Sequence, residues 1–451
     1  MTSNPGESRS IQSQSSAQQR ISNLHGQAQR ARRGWRPWML FLVCSLFYFY
    51  EFFARVAPGV LQPELMRVTG SSQGEFGLAM GMYFLAYAPS QLLVGRLLDR
   101  FGVRAVVAPA ALVVALGCLL FASTNNVVVL GLGRLMQGLG SSVAYLGVIY
   151  LAMIWFPPKR HGMVPGLTVA MGTLGASFAQ YPLLILTKSW GWRVPLLVCT
   201  GAGLIIALML WKLLPKRPNW FVELMREDGF DPKSPQPLAS LIKEIMRDRN
   251  IWCLSLAAAG LYLPISVIGD LWGVTFLHIH SGLSTGLSSL LTTLIFIGFA
   301  TGGIATGHLS DRLKRRKILF VTGAILSSVI AVAIALTNSA PLWWNAMLMI
   351  ALGLTTGSQL LAFVMTADVA KRHNRAVKLA FVNLVVMVLP VFIQPAVGFL
   401  AQIGVAKGLV PSPGQELQGY GLVVVLMFIS TGLSLCVKDT KPRKEKFVMA
   451  H

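Results

Sequence analysis

Charge is scarce in this chain. Only 12% of its 451 residues are Asp, Glu, Lys or Arg, where soluble domains carry about a quarter. Acids are scarcer still, 17 against 39 bases, a formal net charge of +22. No Gly-x-x-x-x-Gly-Lys-Ser/Thr loop occurs, which argues against ATP as an energy source. No Ser-His-Asp arrangement or zinc spacing stands in a polar segment, so the sequence offers no enzyme, no cofactor and no metal site. The five cysteines, Cys44, Cys118, Cys199, Cys253 and Cys436, sit far apart within apolar runs and match no metal spacing. They read as unpaired, small apolar side chains. Residues 1–34 have no apolar h-region, so they are not a signal peptide. Rich in Ser, Gln and Arg, they read as a disordered tail.

What fills the chain instead is apolar sequence, 54% of all residues, in long runs with short polar punctuation. About 18 apolar residues suffice to cross a bilayer as a helix. Twelve runs qualify, near 38–60, 75–97, 104–123, 126–150, 164–187, 193–214, 251–277, 285–307, 318–337, 341–365, 378–402 and 419–437; they are spans 1 to 12 below. They show no alternation of period two, which disfavours a β-barrel. Backbone in lipid must satisfy its own hydrogen bonds, which leaves helices. The expected fold is an all-α membrane protein of twelve transmembrane helices.

The basic excess follows topology. With the N-terminus inside, 33 of the 39 Lys and Arg fall on the inner side. Only Arg67, Lys188, Arg193 and Lys407 lie outside, and Arg55 and Arg134 lie within spans. This is the positive-inside pattern, and it places both termini in the cytoplasm. The partner implied by the charge is the lipid bilayer, with no nucleic acid.

The longest internal polar stretch, about 215–250, divides the spans six and six. Within it, Leu238 to Arg249 has apolar residues at helical spacing, as in a helix lying on the membrane surface or a solvated linker helix. The organisation expected is a disordered tail over 1–36, a six-helix bundle over 37–214, a linker over 215–250, a second bundle over 251–437 and a tail over 438–451. The two halves are repeats. Gly95, Asp99, Arg100 and Arg104 recur 212 residues later as Gly307, Asp311, Arg312 and Arg316. Lys159-Arg160-His161 recurs at the same offset as Lys371-Arg372-His373. Paired halves of this kind build transporters with a central site.

At these residues the chain resembles the major facilitator superfamily. That family's signature between helices 2 and 3 is matched by Gly95, Asp99, Arg100, Gly102 and Arg104. The second copy has Lys314 where the first has Gly102. Arg134-Leu-Met-Gln137-Gly138-Leu-Gly140 resembles the helix 4 signature, and Arg55-Val-Ala-Pro58 is similar to helix 1 of the organic anion:cation symporter branch. Relatives of that branch often carry an acid directly before the Arg; here Ala54 stands there and Glu51 lies one turn back. The resemblance implies alternating access by a carrier, here read as a monomer in a bacterial inner membrane, moving a small organic anion with a proton. Span 5 reads Gly172-Thr-Leu-Gly175 and lacks the Gly-Pro step of drug exporters, which favours uptake. An efflux antiporter and a non-transporting membrane sensor are the alternatives.

The signature glycines let a neighbouring helix approach closely, so Gly95 and Gly307 are expected at tight crossings. The resemblance places Asp99 against the N-terminus of helix 11 and Asp311 against that of helix 5, contacts that latch an outward-open state. For Arg100, Arg104 and Arg312, a latch and plain positive-inside bias both fit.

An ionisable group in mid-membrane costs about 2.5–3.5 kcal/mol even on insertion scales, so each is a functional candidate. Glu51 and Arg55 are four apart and share a helix face. They read either as a proton site beside an anion anchor or as a permanent structural pair. Arg134 needs a partner, for which Glu51 is the candidate. Tyr83, Tyr87 and Gln91 form a polar stripe at i, i+4 and i+8, either a cavity wall or a packing seam; Tyr145 is a weaker member. Around Asp270 and Trp272, span 7 carries Pro264, Gly269 and Gly273. These remove or loosen helix hydrogen bonds and suggest a gate. Asp270 is a second proton candidate, or simply wet near the outer end. His278 and His280 read as solvated loop histidines. Gln359, Phe363, Asn383 and Gln394 are the cavity candidates of the second half.

Overall fold

The computed structural model describes residues 19, 22–24, 26–157, 160, 163–227, 243–338, 340–370, 375–406 and 409–440. Twelve membrane-length helices follow in order: α1 Arg36–Thr69, α2 Gln73–Phe101, α3 Val103–Ala122, α4 Val127–Trp155, α5 Met163–Trp190 and α6 Arg193–Leu213. The second half has α7 Arg249–His280, α8 Thr285–Leu313, α9 Arg316–Leu336, α10 Leu342–Val369, α11 Val377–Ala401 and α12 Pro413–Leu435. Each of the twelve runs read from sequence becomes one helix. Described residues include no strand.

Helix starts follow their caps. Ser72 and Glu75 form a capping box at α2, and Ser412 with Gln415 does the same at α12. Asn126, Asp248 and Ser284 cap α4, α7 and α8 with side-chain acceptors. Such caps satisfy backbone N–H groups that have no partner inside the helix. Pro58 and Pro63 sit inside α1, and Pro390 and Pro395 inside α11, as membrane bundles tolerate. At the end of α8, Lys314 takes the left-handed conformation, φ 52°, where the first repeat has Gly102.

Four helices depart from a straight α-helix. α4 is interrupted at residues 142–143 and α5 at 179–180. α7 winds as a π-helix over Pro264–Trp272, so the interruption expected from Pro264 and its glycines is present. α10 contains a 3-10 turn over Gly357–Leu360.

An even number of spans puts both ends of the chain on one face, called the tail side; the other is the far side. One apolar core runs through both halves, from Val56 and Phe76 to Trp272 and Met427. A second gathers Leu40, Val107, Leu151 and Trp155 of the first half with Leu24 and Ala28 before it and Trp220 after it. All hydrogen bonds joining the halves between described residues lie mid-membrane or towards the far side. There Gln62 Oε1 accepts from Thr275 at 2.6 Å, Gln73 Nε2 donates to Glu416 at 2.7 Å and Gln180 Nε2 donates to the Gly269 carbonyl at 3.1 Å. A Cβ on Gly59 would stand 2.8 Å from the Asp270 carbonyl oxygen, so only glycine permits α1 this close to α7.

The tail side differs from expectation. A Cβ at Gly95 or Gly307 would meet none of the described residues within 4 Å, so neither glycine serves a tight crossing between described residues in this conformation. The close α8–α10 contact uses Gly353 instead, whose Cβ would be 2.9 Å from the Gly298 Cα. The tail expected to be disordered over 1–36 is helical over 26–31. Leu24 and Ala28 are buried, and Arg32 Nε donates to the Ile154 carbonyl at 3.0 Å. Apolar burial and the capping of a helix end outweigh a polar composition here. Residues 238–242 of the expected surface helix, and Lys159, His161, Lys371, Arg372 and His373 of the repeat, lie outside the described residues.

Candidate functional site

Arg55 sits in the middle of α1 with 2% of its side chain exposed. Its Nε and Nη2 donate to Asp270 Oδ2 at 2.8 and 2.5 Å, and Nη2 also donates to the Tyr262 hydroxyl at 2.9 Å. Both partners belong to α7, in the other half of the molecule. The rings of Phe52, Phe84, Tyr262 and Tyr83 stand 5.0 to 5.9 Å from the guanidinium carbon. Such rings stabilise a cation that has left water. The charge is thus held at the seam between the halves by one carboxylate, one phenol and an aromatic wall.

The π-helix is what positions the carboxylate. Tyr262 and Asp270 are eight residues apart, which in a regular α-helix turns them about 80° away from each other. Each π-turn takes up an extra residue, and this altered register brings both side chains to Arg55. Asp270 is therefore buried, 2% exposed, rather than wet. Its Oδ1 has no hydrogen-bond partner among the described residues.

Glu51 and Arg55, though one turn apart, do not pair. The Glu51 carboxylate accepts from the Tyr83 hydroxyl at 2.9 Å, because Arg55 leans toward α7. Arg134 also finds other partners than Glu51. Its Nη1 donates to the Ala54 carbonyl and Gln137 Oε1, and its Nη2 to the Arg55 carbonyl, at 2.8 to 3.1 Å. The cation thus pins the α1 backbone at the residue that carries the anchor. It lies 4.7 Å from the Tyr83 ring.

The polar stripe of α2 is buried. Tyr83 and Tyr87 stack with centroids 5.7 Å apart, and Gln91 Nε2 donates to the Ser142 carbonyl at the α4 break, 3.1 Å. Tyr145 meets Tyr48 ring to ring at 5.6 Å. In the second half, Trp272 Nε1 donates to the Gln394 carbonyl at 3.0 Å, and Gln394 Nε2 donates to the Ser266 carbonyl at 2.7 Å. Gln359 is buried within the 3-10 turn of α10; Asn383 and Phe363 are half-buried. The structure thus gathers Glu51, Arg55, Tyr83, Tyr87, Arg134 and Asp270 around one seam, and leaves Gln91, Tyr145, Gln359 and Asn383 without a described contact to the Arg55–Asp270 pair.

The signature residues lie on the tail side. The Asp99 carbonyl accepts from Arg217. Arg104 stacks 4.8 Å from Trp211 and Arg100 5.1 Å from Phe101. Asp311, 70% exposed, stands 3.7 Å from Arg316 of its own half, and Arg312 is exposed. His280 is buried and stacked on Phe276 at 4.9 Å, unlike the solvated residue expected; His278 is exposed. Cys44, Cys118 and Cys199 are buried, while Cys253 is half-buried and Cys436 exposed.

The sequence profile of the Major Facilitator Superfamily matches residues 42–395 and 271–449. The chain belongs to the Major Facilitator Superfamily. Within it, the protein is similar to the "Probable sulfoacetate transporter SauU" of Cupriavidus necator, 23% identical over 299 residues, 64% of this chain and 68% of that one. It is also similar to the "Hexuronate transporter" of Bacillus subtilis, 23% identical over 276 residues, 60% of this chain and 65% of that one. Among solved structures, a bacterial homologue of the human lysosomal transporter Spinster, in an inward-facing and unoccupied conformation, superposes with TM-score 0.70. The identity is 16%, covering 90% of this chain and 97% of that one. This superfamily member therefore resembles the organic-anion branch in sequence and shares the facilitator fold.

Sequence reasoning missed Tyr262 as a partner of Arg55, and Gln62, Gln73 and Gln180 as ties between the halves. Each is a single polar residue in an apolar span. Buried polar groups need partners, and that requirement was the available signal.

Proposed function

We propose that this protein is a secondary active transporter that takes up a small organic anion by alternating access, driven by protons. The observation that supports it best is the Arg55 guanidinium, buried at the seam and already holding a carboxylate of the opposite half. A group that binds a carboxylate there can bind a solute's carboxylate and feel it from both halves. The relatives named for sulfoacetate and hexuronate are named for carboxylates, which supports the solute class.

In this reading both termini face the cytoplasm of a bacterial inner membrane, as the positive-inside pattern favours. The tail side is then cytoplasmic. Asp99 and Asp311 serve a latch that forms when the cytoplasmic side closes, and Gln62–Thr275, Gln73–Glu416 and Gln180–Gly269 belong to the opposing, closed side.

The test is uptake of labelled glucuronate and sulfoacetate into proteoliposomes under an inward proton gradient. Accumulation by the wild type that disappears in Arg55→Ala is expected. Accumulation unaffected by Arg55→Ala removes the anchor role; no uptake of either probe, or extrusion of them, ends the reading.

A further inference from the structure

The Arg55–Asp270 pair is imperfect in a specific way. Arginine offers a fork that fits both oxygens of a carboxylate. Here Nε and Nη2 converge on Oδ2 alone, and Oδ1 is buried without a partner among the described residues. Asp270 is carried on a π-helix and so reaches the guanidinium with one oxygen only. A free carboxylate, unconstrained by a backbone, can take the fork and the Tyr262 hydroxyl together.

We propose that Asp270 is a built-in stand-in for the transported carboxylate: the solute displaces it from Arg55 and Tyr262, and the displaced Asp270 takes up the one proton that travels with each solute. This deepens the reading of the protein as a proton-coupled anion carrier and rests on it. The reason is electrostatic. An ionised carboxylate left in a dry site without its partner costs several kcal/mol, and protonation removes that cost. The proton goes to a carboxylate oxygen of Asp270, converting it to a neutral acid, while the solute arrives ionised. Local charge is the same before and after the exchange, whatever Glu51 carries. The carrier is therefore electroneutral for a monoanion.

The surroundings favour Asp270 over other acids for this role. Charged and titratable groups near it are Arg55 and Glu51 on α1, Tyr83 and Tyr87 on α2, Arg134 on α4 and Tyr262 on α7 itself. The α5, α8 and α11 groups near this segment are Gln180, Phe296 and Gln394, none of which titrates. Glu51 keeps its Tyr83 hydrogen bond and makes no hydrogen bond to the guanidinium that the solute would break. The exchange also separates α1 from α7, the tie that joins the halves at mid-membrane.

The experiment is glucuronate binding to the purified full-length protein as a function of pH. One proton taken up per anion makes the apparent Kd rise tenfold per pH unit across about pH 6–8. That slope is expected in the wild type and absent in Asp270→Asn, which no longer accumulates labelled glucuronate in proteoliposomes under a proton gradient. A potassium-diffusion potential alone should leave wild-type uptake unchanged. Wild-type binding that ignores pH overturns the proposal, even if Asp270→Asn does not fold. So does a slope kept in Asp270→Asn and lost in Glu51→Gln, which puts the proton on Glu51. No glucuronate binding or uptake by the wild type is the separate failure of the transport reading, and takes this one with it.

Discussion

Removing both members of the Arg55–Asp270 pair should cost far less than the two single removals summed. Two unit charges about 4 Å apart attract by about 4 kcal/mol at an effective dielectric constant of 20. Taking away either partner leaves the other buried and uncompensated, at a cost of about 3–5 kcal/mol. Both side chains are 2% exposed, so water offers little relief. The variants are Arg55→Met, which keeps an apolar stem among the four aromatic rings, Asp270→Ala, and the two combined. Each single variant should lose about 3–5 kcal/mol, and the double should lose about as much as one single. The coupling energy is then about 3 kcal/mol or more. The assay is denaturant unfolding in detergent micelles, followed by tryptophan fluorescence, with the four proteins forming a double-mutant cycle. Single effects that add to within about 0.5 kcal/mol, the figure for independent sites, would refute the reasoning. The two residues would then be held by their separate surroundings and not by each other.

Three further outcomes are expected. Gly59→Val places a side chain where a Cβ already lies 2.8 Å from the Asp270 carbonyl; it should open the far side, raising labelling of a cysteine at Thr275 by an impermeant thiol reagent several-fold, and unchanged labelling would show that this crossing gates nothing. Asp99→Asn should lower uptake of glucuronate at least tenfold while the protein still inserts in the membrane, and full uptake would end the latch reading. Lys314→Gly should stabilise the protein by about 0.5–1 kcal/mol, because a non-glycine residue in the left-handed region costs about 1–2 kcal/mol and glycine returns part of that as backbone entropy; unfolding in micelles measures it, and a loss of stability would mean that the Lys314 side chain makes a contact worth more than the strain.

The fold was legible in the sequence because membrane insertion acts on composition. A span must be apolar for about 20 residues, and no tertiary detail alters that, so twelve runs became twelve helices with ends shifted by several residues at most. The largest shifts lie where polar residues sit inside helices: α1 runs on through Glu64 and Arg67, whose i,i+3 ion pair at 2.6 Å is formed in place. The candidate residues were legible for a related reason, since a buried ionisable group is costly and therefore conspicuous.

Partners were not legible. Periodicity pairs residues on one helix, and so it offered Glu51 for Arg55; for Arg134, on another span, Glu51 was offered only because the resemblance turns span 4 toward span 1. Periodicity carries no information about which helix of the other half lies opposite, nor about a π-helix that changes register between Tyr262 and Asp270. The glycine motif likewise marked Gly95 and Gly307 as places where helices can meet. Whether they meet depends on which side of the molecule is closed, and here the far side is closed.

The sequence by itself determined that the chain crosses a membrane twelve times in two repeated halves, because transfer to lipid is a sum over local composition. Only the tertiary structure decided that Arg55 answers to Asp270, 215 residues along the chain. That choice is made by the distance between two helices and the winding of one of them, and neither is a property of any local stretch of residues.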